Sequence, residues 1–259
     1  MMVRAVLAIL TLCTALMPIG ATAGEAARVA AASDLKFALP ALGRAFEAET
    51  GQTVSLTFGS SGQLAAQIAN SAPFELFLSA DESFVKDLHA KSLTRDEGEL
   101  YALGRLSLFV ADGSPIAADE NLDGLKAALA AGKVTKFAIA NPDHAPYGRA
   151  ARAALEAAGL WSKAEPLLVR GDNATQTLQF ALEGGADGAL VPAPLVEAPE
   201  FSGKGRHVRV NSKLVAALRQ RLVVMKTASP AATAFAAFIT SGKGRAILVK
   251  YGFSAPDGS

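Results

Sequence analysis

The sequence predicts an α/β protein built on mostly parallel sheets. Short runs of β-forming residues alternate with amphipathic helical stretches along the chain, and this alternation is typical of βαβ units. Small and polar residues cluster where predicted strands give way to helices, at the sheet edge where open α/β folds bind ligands. The length of the chain leaves two arrangements open, one large domain or two smaller lobes.

The first segment of the chain is typical of a secretory signal peptide. A short basic start precedes an almost wholly apolar run over residues 5–19, and the next four residues have the small-x-small pattern that signal peptidase cleaves. We therefore expect residues 1–23 to be removed. A membrane anchor is not expected, because the run is short and has no basic stop behind it. A lipoprotein signal is not expected either, because Cys13 follows Leu12 rather than a small residue.

The mature chain has a balanced composition that excludes some classes of partner. Removing residues 1–23 leaves 236 residues with 24 basic side chains, 24 acidic side chains and no cysteine. The fold therefore needs neither disulfides nor a reducing compartment. A neutral chain lacks the basic surface with which proteins bind nucleic acid or anionic membranes, so neither is expected as a partner.

The individual elements follow from periodicity and from breaker residues. Apolar runs bounded by glycine, proline or polar residues predict strands, and apolar residues at helical spacing, such as Leu35, Leu39, Leu42 and Phe46, predict helices. The predicted strands are 28–31, 54–58, 76–79, 105–110, 137–140, 167–170, 188–191, 208–210 and 222–225. The predicted helices are 35–50, 61–70, 82–90, 122–131, 148–158, 174–183 and 231–241.

The first strand-to-helix junction carries Ser33 and Asp34. A serine just before a helix is a natural N-cap, because its hydroxyl oxygen accepts a free backbone N–H. An aspartate in the first turn is favoured by the helix dipole. Ser33 is therefore predicted to cap the helix, and this junction alone leaves open whether the hydroxyl also serves a ligand.

The second junction, residues 59–62, has the sequence Gly-Ser-Ser-Gly. The glycines let the backbone approach a ligand closely, and Ser60 and Ser61 place hydroxyls beside the free N–H groups of a helix start, which favour anions. The segment lacks the Lys-Ser/Thr ending of a phosphate-binding P-loop. It also lacks the final glycine of a nucleophile elbow.

Two further junctions add polar groups at strand ends. Residues 141–149 form a loop with two prolines that we expect to hold Tyr147 in a fixed position, unless this loop is an ordinary connector with Tyr147 covering the core. Residues 171–176 place Asn173 and Ala174 at the start of another predicted helix. All four junctions lie at the carboxyl ends of strands, where a shared ligand site is expected.

Five separated segments resemble a known family. They read AASDLKFALPAL, FGSSGQLAAQI, APFELFLSADESFVKDL, ANPDHAPYGRAARAAL and GRAILVKYGF. They are similar, in the same order and across roughly residues 27–253, to the periplasmic molybdate-binding proteins of ABC importers. The resemblance implies two α/β lobes, each a mostly parallel sheet flanked by helices, with the ligand in the cleft between them. It implies that 24–104 and 222–259 form the first lobe and 105–221 the second.

The resemblance also implies the site residues. In the family, serine hydroxyls and backbone amides hold a tetrahedral oxyanion without a cationic side chain, so molybdenum would be bound only as its oxyanion. Matched by position, the implied ligand residues for molybdate or tungstate are Ser33, Ser61, Tyr147 and Ala174, with Asp34, Ser60 and Asn173 as secondary candidates. We expect Ser33 and Ser61 each to cap a helix and also to donate the hydroxyl to the anion.

Two positions depart from the family pattern. Pro192 stands where one branch of the family has a tyrosine hydroxyl, and Tyr147 is expected to replace that contact. Asp34 stands where some relatives have a neutral asparagine. A carboxylate facing an oxyanion would repel it, so we expect the Asp34 side chain to turn towards solvent and only its N–H to serve the site.

The implied function is capture of molybdate or tungstate in the periplasm and delivery to the membrane permease of an ABC importer, by a monomer without a cofactor. The alternatives are a binder of sulfate or another anion with the same architecture, a structural or interaction protein and, less favoured, a hydrolase. A serine hydrolase would need a histidine base. His89 and His207 are predicted on the surface, His144 at the rim of the cleft, and no metal-ligand spacing is present.

Overall fold

The computed structural model describes residues 25–256, and the predicted signal peptide lies outside them. The backbone forms two five-stranded sheets with helices on their faces. The strands are β1 Ala27–Ala32, β2 Val54–Gly59, β3 Leu76–Ser79, β4 Glu99–Gly104, β5 Leu106–Val110, β6 Phe137–Ala140, β7 Leu168–Gly171, β8 Gly188–Pro192, β9 Arg206–Arg209 and β10 Leu218–Val224.

The helices follow the strands in the alternation that the sequence predicts. They are α1 Ala38–Thr50, α2 Ser61–Ala69, α3 Glu82–Ala90, α4 Asp123–Ala130, α5 Pro146–Ala157, α6 Trp161–Ala164, α7 Ala174–Leu182, α8 Ala193–Val196, α9 Pro230–Thr240 and α10 Gly242–Lys250, with short 3₁₀ turns at Ser33–Leu35, Glu165–Leu167 and Pro199–Phe201. No helix within residues 25–256 combines the length and apolarity of a membrane span.

Both sheets are mostly parallel, as predicted. The first sheet has the order β2-β1-β3-β10-β4 and the second has the order β7-β6-β8-β5-β9. In the first sheet β10 is antiparallel to both of its neighbours, and in the second β5 is antiparallel to both of its neighbours. Four strands of each sheet therefore point one way and place their carboxyl ends at one edge.

The two antiparallel strands lie at the crossings between the sheets. The chain leaves the first sheet at the end of β4, passes Arg105 and enters β5 of the second sheet at once. It returns after β9 and re-enters the first sheet as β10. This is the two-lobed architecture that the sequence resemblance implies. Each lobe consists of one sheet together with the helices packed on it.

The core of the first lobe joins the start and the end of the chain. The Phe46 ring of α1 lies 5.1 Å from Phe235 and 5.7 Å from Phe238 of α9, measured between ring centroids. Strand β1 is buried except for Arg28 and otherwise carries only alanine and valine, which suits an inner strand covered on both faces. The last helices therefore hold the lobe together across the whole sequence.

Some elements differ from the predicted ones. The predicted helix 35–50 is a 3₁₀ turn, Ser33–Leu35, followed by α1 from Ala38. Strand β4 is not among the predicted strands because its sequence, ELYALG, has few strong β-formers. Helix α10 is not among the predicted helices because Gly242 and Gly244 weaken the helical pattern of its first turn.

A buried glutamate ties the first lobe together and provides a test of its stability. Glu75 Oε2 accepts the N–H of Arg28 at 2.8 Å, and Oε1 accepts the N–H of Ser229 at 2.9 Å. Burial raises the pKa of this carboxyl, but the bonds from Arg28 and Ser229 outweigh it and leave the pKa below the ordinary value of 4.5. The stabilisation is therefore complete above about pH 4.5 and is lost as the pH falls through the lowered pKa of the folded state.

We expect Glu75→Gln to lower the free energy of unfolding by about 1–3 kcal/mol at neutral pH, because an acceptor of a buried N–H is lost. The difference from the parent protein should shrink in acid. Urea unfolding at neutral and acid pH measures both effects. Glu47→Gln, at an exposed position on α1, is the control. Equal losses in the two variants would contradict the role given to Glu75.

Candidate anion-binding site

A small cavity lies between the lobes at the carboxyl ends of the strands. Measured as the space open to the centre of a water-sized sphere, its volume is about 10 Å³, roughly the room that one water molecule needs. The first lobe contributes the residues that follow β1, β2 and β3, and the second contributes the starts of α5 and α7. The lining residues are Ala32, Ser33, Asp34, Gly59, Ser60, Ser61, Ala80, Ala145, Pro146, Tyr147 and Ala174.

Three helices of nine or more residues begin at this cavity, namely α2, α5 and α7. The first N–H groups of a helix have no partner inside the helix and carry the positive end of its dipole. The N–H groups of Ser61 and Tyr147 find no acceptor among the described residues. The cavity therefore has the donors and the dipoles that an anion requires.

Ser33 lies in the cavity as predicted, but it is not a helix cap. Its 3₁₀ turn and α1 both begin without a side-chain cap. Instead Ser33 Oγ accepts the N–H of Ala174, at 3.0 Å, from the other lobe. Ser33 is 4% exposed, and its hydroxyl proton has no acceptor within residues 25–256. Ser33 therefore joins the lobes and keeps an O–H free to donate.

Ser61 has the same pattern, and its predicted capping role is also wrong. Ser60 is the N-cap of α2, with its Oγ accepting the N–H of Gln63 at 3.3 Å. Ser61 is fully buried, and its Oγ accepts the N–H of Ala80 at 3.0 Å. Its hydroxyl proton too has no acceptor in the described part of the chain. The two predicted hydroxyl ligands are thus equivalent in hydrogen bonding.

The other predicted residues take different positions. Ala174 lines the cavity with its N–H already bound to Ser33, and Asn173 caps α7 by accepting the N–H of Gln176 at 3.1 Å. Tyr147 also lines the cavity, with its hydroxyl accepting from Gln220 Nε2 at 3.1 Å. Pro192 ends β8 and does not line the cavity.

The expectation that Asp34 faces solvent is wrong. Its side chain is 1% exposed and lines the cavity. Oδ2 accepts from Gln220 Nε2 at 2.6 Å. Burial raises the pKa of this carboxyl to about 6, against smaller lowering effects of Gln220, Tyr147 and the N–H groups of Asp34 and Leu35. The 3₁₀ turn explains the error, because it directs Asp34 inward where a regular helix start was expected.

Gln220 is a functional residue that the sequence analysis missed. Its side chain is fully buried in β10, and it donates through Nε2 to both Asp34 and Tyr147. Tyr101 on β4 donates its hydroxyl to Gln220 Oε1 at 2.5 Å, which fixes the amide orientation. The sequence feature that could have indicated this role is the single amide side chain in the strand LRQRLVV. This network joins both lobes next to their crossing strands.

Further contacts close the lobes around the cavity. Gly62 N–H donates to the carbonyl of His144 at 3.0 Å, and the Nδ1 atom of that histidine lies 2.8 Å from Ser60 Oγ. An ion pair of 2.7 Å joins Arg149 of the second lobe to Asp81 of the first. The rim position predicted for His144 is therefore a contact between lobes. Formation of the cavity requires the lobes to stay together.

The cavity lacks the cationic groups with which many sites neutralise an anion. Across residues 25–256, no lysine, arginine or histidine lines it, and no group of three acidic, histidine or cysteine side chains is placed to hold a metal ion. Its donors are hydroxyls and backbone amides. An anion here would be stabilised by hydrogen bonds and helix dipoles rather than by a counter-ion.

The hydrogen bonds that join Asp34, Gln220, Tyr101 and Tyr147 form a hinge network between the lobes. A substitution of Gly104 tests this network, because Gly104 ends β4 where the chain leaves the first lobe. A methyl group at this position would overlap with Tyr147 Oη and Gln220 Nε2. We expect Gly104→Ala to lower the free energy of unfolding by about 1–3 kcal/mol, the usual cost of overpacking. Urea unfolding measures the change.

The matched control for Gly104 is Gly242→Ala, since a methyl group there meets no atom within 4 Å. Alanine is the better helix former at this first position of α10, so the control should be neutral or slightly stabilised. A Gly104→Ala protein as stable as this control would mean that the network tolerates displacement and does not constrain the hinge.

Comparisons with known proteins agree with this architecture. The family model of bacterial extracellular solute-binding proteins matches residues 27–254. The molybdate-binding protein ModA of Rhodobacter capsulatus is 35% identical over 240 residues, which are 90% of this chain and 89% of that protein. The solved periplasmic molybdate-binding protein of Azotobacter vinelandii has a TM-score of 0.80 at 28% identity, covering 89% of this chain and 99% of that one.

A more distant structure shares the fold alone. The sulfate-binding protein SubI of Mycobacterium tuberculosis has a TM-score of 0.71 at 17% identity, covering 90% of this chain and 87% of that one. The two-lobed fold is therefore common to proteins whose names describe different oxyanions. The residues that line the cavity, rather than the frame, must decide which ion is bound.

Proposed function

The chain belongs to the family of bacterial extracellular solute-binding proteins, and from this premise we propose that it captures molybdate or tungstate in the periplasm for an ABC importer. The resemblance that the sequence motifs predicted is confirmed. The ligand is proposed to lie in the cavity between the lobes, where Ser33, Ser61 and the N–H of Tyr147 offer hydrogen bonds.

The observation that carries this proposal is the match between the donors and a tetrahedral dianion. Both serine oxygens accept a backbone N–H, so each hydroxyl proton is left for a ligand. A buried dianion is costly to desolvate. Hydrogen bonds to a charged group contribute about 1.5–3 kcal/mol each, so several that converge offset this cost without a cation.

Delivery to a permease is proposed from the same two-lobed frame. The mature chain is proposed to begin near Gly24 and to act as a monomer in the periplasm. The predicted lobe limits, 24–104 with 222–259 and 105–221, are kept as proposed limits, although β10 spans 221/222 and lies in the first sheet. Contacts between lobes at Ser33, Ser60 and Asp81 would let a permease distinguish the closed protein from an open one.

A hydrolase is not the function that this site favours. Ser60 and His144 form a serine–histidine pair at 2.8 Å, the arrangement of an activated nucleophile. However, Ser60 Oγ is also the cap of α2. Among the described residues nothing hydrogen-bonds the second ring nitrogen of His144, although a triad needs such a group to orient the base.

Thermal unfolding with a panel of oxyanions tests the proposal. The panel is molybdate, tungstate, sulfate, phosphate and chromate. A ligand at about 100 times its dissociation constant should add about 2.7 kcal/mol to the free energy of unfolding. We expect stabilisation by molybdate or tungstate. Stabilisation by sulfate alone would favour the alternative oxyanion binder, and no shift with molybdate or tungstate would overturn the proposal.

Substitution of the two serines locates the site. We expect Ser33→Ala and Ser61→Ala each to weaken molybdate binding by about tenfold to a hundredfold, because each removes a hydrogen bond to a charged ligand. Calorimetric titration of the folded variants measures this. Ser162→Ala, at an exposed position on α6, is the matched control. Unchanged affinity in both cavity variants would remove the site assignment.

A further inference from the structure

One oxygen of Asp34 has no hydrogen-bond partner although it is buried in the wall of the cavity. The side chain is 1% exposed, and within residues 25–256 nothing donates a hydrogen bond to Oδ1. The N–H groups of Asp34 and Leu35 and the Tyr147 hydroxyl lie near enough to lower the pKa of the carboxyl, but none of them bonds to Oδ1. Buried polar atoms normally have a partner, so this oxygen is placed to meet a ligand.

The Gln220 amide cannot turn to satisfy this oxygen. Gln220 uses Nε2 for Asp34 Oδ2, at 2.6 Å, and for Tyr147. Tyr101 donates to Gln220 Oε1 and so prevents the amide from flipping. Oδ2 is thereby committed to Gln220, while Oδ1, on a residue that lines the cavity, has no donor among residues 25–256.

A carboxylate oxygen and an oxyanion oxygen are both acceptors, so they can make contact only through a proton. Resting on the oxyanion binding proposed above, we propose that the anion is bound together with one proton, shared between Asp34 Oδ1 and an anion oxygen. The proton comes from solvent and forms an O–H bond with one of the two oxygens. No bond of the anion breaks, and the charge of the site falls by one unit.

The charges around Asp34 favour this uptake. The titratable groups that face it are Tyr147 from α5 and Tyr101 from β4, and burial together with the nearby Asp34 raises the pKa of both phenols well above 10. Both phenols are therefore neutral. The α2, β3 and α7 ends of the cavity contribute serine and alanine. No cation among the described lining residues offsets a dianion beside a carboxylate, so a proton must.

Charged side chains outside the cavity have other partners. Arg149 is paired with Asp81, Arg209 is paired with Glu197, and Lys36 lies 5.2 Å from the centre of the Phe58 ring. Burial also raises the pKa of Asp34 itself to about 6. Proton uptake on binding therefore needs little free energy near pH 6 and more at higher pH.

This coupling predicts a pH dependence that neutral donors alone would not produce. Above about pH 6 the free protein holds Asp34 ionised, so the dissociation constant should rise by about tenfold for each further pH unit. Asp34→Asn keeps an amide that can donate from the same position. Its affinity should vary little with pH and should exceed that of the parent protein at alkaline pH.

Calorimetric titration with sodium molybdate, and separately with sodium tungstate, tests the proposal in buffers of different ionisation enthalpy. At about pH 7.5, above the raised pKa, the dependence of the heat on the buffer should give close to one proton taken up per anion. We expect no uptake in Asp34→Asn. The control Asp143→Asn, at an exposed aspartate, should take up one proton like the parent protein.

Each result decides the matter. Tight binding without proton uptake in the parent protein would overturn the shared proton and leave the proposed function standing. One proton taken up by Asp34→Asn would assign the uptake to another group and also overturn it. No heat with either anion between about pH 6 and 9 would defeat the proposed function itself. If Asp34→Asn does not fold, the proton count and pH profile of the parent protein decide.

Discussion

The proposed burial of an anion without a counter-cation is the constraint on which the rest of this account depends. A charge removed from water must be stabilised from all sides, and here the donors are hydroxyls, backbone N–H groups and helix starts, beside the buried carboxyl of Asp34. The strands of both sheets must therefore end at one cleft, because only there do α2, α5 and α7 converge. The small residues at these ends follow from the same need, since a backbone N–H acts only at close range.

The hinge meets a second requirement, which is to keep the two lobes in register over so small a cavity. Gln220 on β10 joins Asp34 of the first lobe to Tyr147 of the second, at the strand by which the chain returns. Next to Asp34 in the same 3₁₀ turn, Ser33 Oγ accepts the N–H of Ala174 from the second lobe. The groups that face the ligand thus also hold the lobes, so closure and binding are expected to be coupled.

Much of this arrangement could be predicted from the sequence, because strands, helix starts and glycine turns are local features. The alternation of elements can be predicted in that way, and so can the position of the serines at the strand ends, which line the cavity. The direction of the Asp34 side chain could not be predicted, since it depends on whether three residues form a 3₁₀ turn or a helix start. Gln220 and Tyr101 were missed because their roles arise from contacts over more than 100 positions. The cap of α2 fell on Ser60 rather than Ser61, a one-residue difference that pattern reading does not resolve.

The most direct test of this account is a crystal structure of the mature protein grown with molybdate, with the metal located by its anomalous scattering. The account predicts a single strong peak inside the cavity between the lobes. The oxygens around it should lie within hydrogen-bond distance of Ser33 Oγ, Ser61 Oγ and the N–H of Tyr147, with no lysine or arginine in contact. A peak elsewhere, or an ion held by a cationic side chain, would contradict the claim that neutral donors alone bind the anion.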